Sequence, residues 1–415
     1  MTDLLDLAER LWDGRARYHP FRDVGARCEV ADGTLFVHGF ANSAVLASDD
    51  ALVVVDSGSQ VASGAIHDSV RSWTDRPAET VVFTHGHIDH CFGVERYDAD
   101  NAVLGRPPPR VIAHDAITAR FDRYRATAGY NQIVNQRQFS LPEYRWPIEY
   151  RYPDETYSGS TVVSLAGEDV ELHHARGETD DHTWVWAPAR RVLCAGDLFI
   201  WAAPNCGNPQ KAQRYPAEWA AALRTMAALD AAVLLPGHGL PIVGADRVRT
   251  ALTDSAALLE HLVAETLELM NAGATLDDII HTVRAPAGLL ERPYLRPVYD
   301  DPEFILHNLW RLYGGWYDGN PARLKPPRDA DLAREVADLA GGVTALVDRA
   351  RALADAGELR LAAQVAEWAA QVAPDDAGVH ATRAEVYRLR VAEETSTMAK
   401  GIFGSAAAKS ERDHG

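Results

Sequence analysis

Cysteine is scarce in this chain. Only four occur in 415 residues, at Cys28, Cys91, Cys194 and Cys206, and none forms a Cys-x-x-Cys pair. That excludes a disulfide framework and makes a reducing cytoplasm the expected compartment. Positive charge is short as well. The 41 Lys and Arg face 59 Asp and Glu, and a net charge of −18 repels a polyanionic backbone, so nucleic acid is not expected as a partner. No apolar run reaches the roughly eighteen residues a membrane span needs. The opening MTDLLDLAERLWDGRARYHP mixes apolar and charged residues at helical spacing; without a basic start and an apolar core it does not read as a secretory leader. What remains, 47% hydrophobic and 24% charged, is the composition of a globular protein long enough for two domains.

Residues 80–93, TVVFTHGHIDHCFG, organise the rest. The apolar run Val81 to Phe83 fits a buried parallel strand that empties into a polar loop carrying His85, His87, Asp89 and His90. His85 and His87 are two apart and point the same way if strand geometry persists, while Asp89 and His90 follow across the turn. One segment can therefore serve two adjacent ions. Neutral imidazoles and carboxylates suit zinc, and manganese or iron is compatible with the same ligand types.

This His-x-His-x-Asp-His loop resembles the metal-binding loop of the metallo-β-lactamase superfamily, which implies an αββα sandwich. Other stretches match the same pattern in order. ALVVVDSG ends a strand on Asp56, where the superfamily places an Asp that orients the metal loop through hydrogen bonds; capping a strand-end turn is the alternative. TVVSLAGEDVELHH reads as two strands that lead into ARGETDDHTWVW, and the third-ligand position falls on Glu178 rather than His. His182, His173 and His174 compete for that role. RVLCAG ends on Asp197 and AAVLLPGHG delivers His238 after a helix over 216–229. The resemblance then implies one metal on His85, His87 and Glu178, and a second on Asp89, His90 and His238. Asp197 bridges them and Asp89 orients an attacking hydroxide, while His182 supports a ligand or donates a proton to the leaving group, a structural role being the stronger expectation for it. Two zinc ions per chain are the expected cofactor. His114, at the end of PPPRVIAH, is expected to be structural.

Residues 115–160 show no clean period and read as a long lid or pocket wall. Its Arg125, Arg137 and Asn135 are candidates to hold an anionic substrate. From about residue 250 the pattern is purely helical. The run HNLWRLYGGWYDGNPARL, with LAGG further on, looks like the dimerisation domain of the type III alkyl sulfatases, and the alanine-rich hairpins over 343–392 also resemble tetratricopeptide stacking. Either view implies a homodimer.

The expected organisation is a catalytic domain over 1–250, an all-α dimerisation domain over 251–395 and a disordered tail over 396–415. Two departures bear on the substrate. The chain has Asp197 and LFIWAAPNCGNPQK where alkyl sulfatases carry a Glu and an Asn- and His-rich stretch, and their paired arginines are not clearly matched. The sterol-carrier-like domain of the longer members has no counterpart. The leading expectation is a dinuclear hydrolase of alkyl sulfate esters. A lactone, thioester or carboxylic ester needs only a different pocket. Di-iron redox chemistry wants a flavin partner domain that is not seen, and open ligand positions argue against a metal-bearing interaction scaffold.

Overall fold

The computed structural model describes residues 3–414. The opening helix α1 (Leu4–Trp12) is capped by Asp3 and buries Leu4, Ala8 and Leu11. It is followed by an antiparallel meander of β1 (Arg27–Ala31), β2 (Thr34–Val37), β3 (Ser43–Ala47) and β4 (Leu52–Val55). The chain then crosses through α2 (Ser63–Arg71), α3 (Val94–Val103), α4 (Ala116–Ala126) and α5 (Ala128–Phe139), adding β5 (Ala78–Val82), β6 (Arg110–His114) and β7 (Glu155–Tyr157) in parallel. These strands make a seven-stranded sheet in sequence order.

The second sheet has six strands, ordered β13-β12-β11-β10-β9-β8. They are β8 (Ser160–Leu165), β9 (Glu168–His174), β10 (Thr183–Ala187), β11 (Val192–Ile200), β12 (Val233–His238) and β13 (Ile242–Val243). Only β11 and β12 pair in parallel, because α6 (Pro216–Ala227) makes the crossover between them.

Strand alternation explains the layering. Phe36, Leu46, Val53, Val55 and Val82 share a core with Val163, Leu172 and Val185 of the second sheet. Their neighbours Leu35, Val37, Val45, Leu52, Val54 and Val81 point the other way, onto Ile66, Val70, Val94, Tyr97 and Phe121 of the helices. Outside the second sheet lies α6, whose fully buried Trp219 donates its indole N–H to Leu198 O at 2.8 Å. Packed against α6 is α7 (Ala245–Asn271). The result is an αββα sandwich.

The chain divides into two compact units at boundaries other than those expected. The first runs to Ala128 and takes in Pro147–Ala274 and Asp278–Gly314; the second comprises Gly129–Trp146, Thr275–Asp277 and the described chain from Gly315 on. The helical pattern after residue 250 therefore does not mark the boundary. Val248, Leu252, Leu259 and Leu262 of α7 belong to the sandwich core, as do Ile305 and Leu309 of α10 (Pro302–Gly314). Between α7 and α10 come α8 (Leu276–Thr282) and α9 (Ala287–Leu290). The segment 115–160 is not a long loop, since α4 and α5 fill its first half. The sequence reading did not single out β3, which like β2 and β4 is buried at every position.

In the second unit α11 (Asp329–Ala340), α12 (Val343–Asp355), α13 (Leu359–Val372) and α14 (Ala377–Glu393) pack on one another through small residues such as Ala350, Ala362, Ala366 and Ala369. The WYDGNP string turns the chain: Gly319 has φ +96° beside Thr275, and Asp318 O accepts Leu276 N at 3.1 Å. The expected disordered tail is instead α15 (Thr397–His414), with Met398, Ala399 and Ala407 buried. Its composition suggested disorder, but small residues allow close approach, and a Cβ on Gly401 would stand 2.3 Å from Gln138 O.

Gly401→Val should lower stability by about 1–3 kcal/mol, because the obstructing atom is backbone and cannot rotate away. Limited proteolysis should then cut the C-terminal helix faster than in the wild type. Equal cleavage rates would remove the packing assigned to α15.

Candidate metal centre

Strand ends supply most of the site. Asp56 follows β4 with φ +60°, a left-handed turn that aims its carboxylate back across the sheet. Its Oδ1 accepts Thr84 N at 2.7 Å, and its Oδ2 accepts the Thr84 hydroxyl at 2.8 Å and meets His90 Nδ1 at 2.7 Å. After β5 come Thr84, His85, His87, Asp89 and His90. The β9–β10 connection carries Glu178, Asp180, Asp181 and His182; β11 carries Asp197 and β12 ends on His238.

Two sets of donor atoms result, each gathered within 4.8 Å: His85, His87, Glu178 and Asp197, and Asp89, His90 and His238. The hydrogen bonds behind them set the imidazole tautomers. Thr84 gives its proton to Asp56, so its oxygen must accept from His85 Nδ1, 3.0 Å away, which leaves the His85 Nε2 lone pair facing inward. That atom lies 2.7 Å from His87 Nδ1. In the second set His90 Nδ1 is tied to Asp56 and His238 Nδ1 to Phe40 O, leaving both Nε2 atoms inward. This is the orientation by outer partners that metal-bound histidines show.

Asp197 reaches both sets. Its Oδ2 is 3.7 Å from His85 Nε2 and 3.3 Å from His238 Nε2, while its Oδ1 is 3.4 Å from His90 Nε2. Asp89 Oδ2 lies 3.4 Å from His238 Nε2 and 3.7 Å from His90 Nε2. Glu178 Oε1 is 3.8 Å from His87 Nδ1 and accepts from Arg214 Nη2 at 3.0 Å and from the Asn205 amide. Glu178 Oε2, Asp197 Oδ1 and His90 Nε2 are buried with no hydrogen-bond partner in the protein. Inward lone pairs and partnerless carboxylate oxygens fit divalent cations bound by N and O donors.

The electrostatics agree with that fit. Burial, reinforced by Asp197, pushes the Glu178 carboxyl well above its usual range. Burial and the neighbouring imidazoles His90 and His87 hold His85 well below its usual value, and burial with Arg120 and Arg214 does the same for His87, so both stay neutral and ligand-competent. Burial opposes charge on His90, but Asp197, Asp56 and Asp89 outweigh it and raise that imidazole. Burial alone would raise Asp197; His238 and His90 outweigh it and hold the carboxyl low.

All seven expected ligands are brought together. Of the two roles expected of His182, supporting a ligand and donating a proton to the leaving group, the geometry agrees with the first. Its Nε2 accepts Asp197 N–H at 3.0 Å, and burial lowers its pKa to about 3. With its only lone pair engaged, it neither ligates nor carries an acidic proton; it positions Asp197. The other rivals of Glu178 are turned away: His173 bonds Glu171 at 2.9 Å, and His174 bonds His182 O at 3.0 Å and stacks on His114 at 3.6 Å. Asn135 and Arg137 lie on α5 in the second unit and belong to neither set. The Asn135 amide donates to Asn131 O at 2.8 Å.

Sequence reading missed the surrounding residues. Arg214, with Nε on Asn205 O at 2.7 Å, steadies Glu178. Half-buried Lys211 lies within electrostatic reach of Asp89, Glu178 and His87, and burial lowers its pKa to about 8. Tyr299 and Phe21, with ring centroids 4.0 Å apart, form an aromatic wall beside His238, which is 4.2 Å from Phe21. The signal available was the Asn, Lys and Arg of NCGNPQKAQR just after Asp197, a stretch with no period to place it.

Residues 37–238 match the family model of the Metallo-beta-lactamase superfamily, and residues 275–413 match that of Alkyl sulfatase dimerisation. A linear primary-alkylsulfatase of Pseudomonas sp. is 24% identical over 315 residues, covering 70% of this chain and 59% of the relative. An (R)-specific secondary-alkylsulfatase of Pseudomonas sp. is 28% identical over 318 residues, covering 69% and 47%. The chain thus spans about half the length of these curated relatives. The solved stereoselective inverting sec-alkylsulfatase of Pseudomonas sp. shares the fold with TM-score 0.84 at 24% identity, over 94% of this chain and 66% of that one.

Glu178→Gln should lose zinc on dialysis, while His173→Ala and His174→Ala keep the wild-type content measured by elemental analysis. The opposite pattern would move the third ligand to a histidine. A separate prediction concerns Asp300, fully buried, whose Oδ2 accepts Gly207 N at 2.5 Å and Oδ1 accepts Asp301 N at 2.8 Å. Burial raises its pKa from 3.8 to about 7. The protonated form therefore stabilises the fold fully below pH 4, and that contribution, about 4 kcal/mol at most, is lost as pH rises through 7. Urea unfolding from pH 4 to 8 should fall more steeply for the wild type than for Asp300→Asn; parallel curves would contradict the assignment.

Proposed function

We propose, for a chain that belongs to the metallo-β-lactamase superfamily and carries an alkyl sulfatase dimerisation domain, that it is a dinuclear metal-dependent hydrolase of alkyl sulfate esters. The observation that carries this reading is Asp197, one buried carboxylate within 3.7 Å of histidines from both donor sets. The relatives named as alkylsulfatases support the substrate class.

Two zinc ions held by His85, His87, Glu178, Asp197, Asp89, His90 and His238 would supply Lewis-acid polarisation and a water of lowered pKa. The protein's own residues do the rest. Asp89, the most exposed carboxylate of the site, accepts a proton from and orients an attacking water. Lys211 attracts the sulfate group, taking the anion-holding role expected of Asn135 and Arg137. Phe21, Phe40 and Tyr299 offer an apolar wall to the alkyl chain and exclude water from the His238 side. The second unit supports a homodimer, because it leaves Leu339 89% and Trp316 69% exposed.

The zinc-loaded protein should release sulfate from a medium-chain alkyl sulfate and leave carboxylic esters, lactones and thioesters essentially untouched. Turnover of one of those in place of the sulfate ester would overturn the substrate class while leaving the metal centre standing. Lys211→Met should remove a charge-assisted contact worth about 1.5–3 kcal/mol, raising KM about 10–100-fold with a smaller change in kcat. An unchanged KM would take Lys211 out of the sulfate site.

A further inference from the structure

One short segment controls several parts of the metal centre, and it is fastened by an arginine from a different element. Between β9 and β10, Glu178 supplies a ligand, and His182 receives the Asp197 N–H. Between those two residues, buried Asp181 reaches out of the segment: its Oδ2 accepts Gly86 N at 2.9 Å, the peptide between His85 and His87. Its other oxygen, Oδ1, accepts Arg120 Nε at 2.7 Å.

Arg120 sits on α4, only 5% exposed. Its Nη2 donates to Asp180 and its Nη1 to the Tyr124 hydroxyl at 3.2 Å. The stem of the side chain also bears on the loop. A Cβ on Gly86 would stand 2.8 Å from Arg120 Cδ and 3.1 Å from Asp181 Oδ2. The guanidinium is therefore fixed by two adjacent carboxylates, and the peptide that spaces His85 from His87 is closed in by both members of the pair.

We infer that Arg120, acting through Asp181, is a positioning residue that holds the His85–His87 loop and the Glu178 segment at the separation one metal ion requires. This rests on the metal-centre reading above. The physical reason is directional. A buried carboxylate gripping a backbone N–H keeps its place only while a fixed cation balances its charge; without the guanidinium Asp181 turns away towards water, and Gly86 loses its anchor. Both ligand-bearing pieces then move independently. His90 and His238 have anchors of their own, on Asp56 and Phe40 O, so the second donor set is the less affected.

Zinc titration of the full chain against a chromophoric chelator tests the inference, with thermal unfolding of the metal-free protein measured in parallel. The wild type should show two stepwise zinc constants. Arg120→Met should weaken one of them about 10–100-fold and leave the other within about twofold, the range that loss of an outer partner of a metal ligand produces. Asp181→Ala should do the same. Asp181→Asn, which retains an acceptor for Gly86 N, should recover part of the loss. Asp180→Asn, at the more exposed arm, should have the smallest effect.

Two wild-type zinc constants in folded Arg120→Met or Asp181→Ala would overturn the proposal, even if their metal-free melting temperatures fell, since that pattern belongs to a purely structural ion pair. If Arg120→Met does not fold, the pair Asp181→Ala and Asp181→Asn decides: equal affinity in both would overturn it. A wild type that binds no zinc would bring down the metal centre itself and this inference with it. Failure of the sulfate-ester reading alone leaves the zinc constants, and so the proposal, intact.

Discussion

Asp56, Glu178, Asp181 and Asp197 are all buried within one region of the sandwich, together with His85, His90, His182 and His238. A carboxylate without compensation in such a place costs several kcal/mol, so each must meet protons or cations of definite geometry. Asp56 meets Thr84 and His90, Asp181 meets Gly86 N and Arg120, and Glu178 meets Arg214 and Asn205. Asp197 alone faces chiefly imidazole nitrogens. Most of the local architecture answers this concentration of buried charge.

The answer comes in layers. The carboxylates nearest the strands act on tautomers: Asp56, through Thr84, turns the His85 lone pair inward and acts directly on His90. Imidazole His182, held neutral by burial, uses its own lone pair to hold the Asp197 peptide. Farther out, Arg120 and Arg214 supply fixed positive charge that also keeps His87 neutral. The geometry of the candidate site and the stability of the fold are thus coupled, since the same hydrogen bonds satisfy buried groups and orient the clustered side chains.

The helical half follows a different logic. Apart from its short cores, the second unit packs largely through alanine, and α15 lies on α14 with Phe403 stacked on Tyr387 at 5.7 Å and Arg383 Nη1 donating to Ala406 O at 2.8 Å, besides its close approach to Gln138 at Gly401. Such packing leaves large residues like Leu339 and Trp316 on the surface. The first unit instead extends its core through α7 and α10, which is why helical sequence and structural boundary do not coincide.

Four of the candidate donors, His85, His87, Asp89 and His90, were legible in the chain itself, because their types and spacing next to an apolar strand leave marks in one dimension, whereas Glu178, Asp197 and His238 followed only from the family resemblance. Within that resemblance Glu178 was placed by its position after Gly177 in an ordered series of strand ends. The sandwich, too, was expected from the resemblance that the loop carries. Tertiary structure decided what periodicity cannot encode: that His182 serves the Asp197 peptide, that α4 contributes Arg120 from a segment that reads as a loop, that α7 belongs to the unit of the sandwich, and that the small, charged tail forms a helix. Each of these depends on which distant atoms come within hydrogen-bonding or van der Waals distance, a property of packing rather than of local sequence.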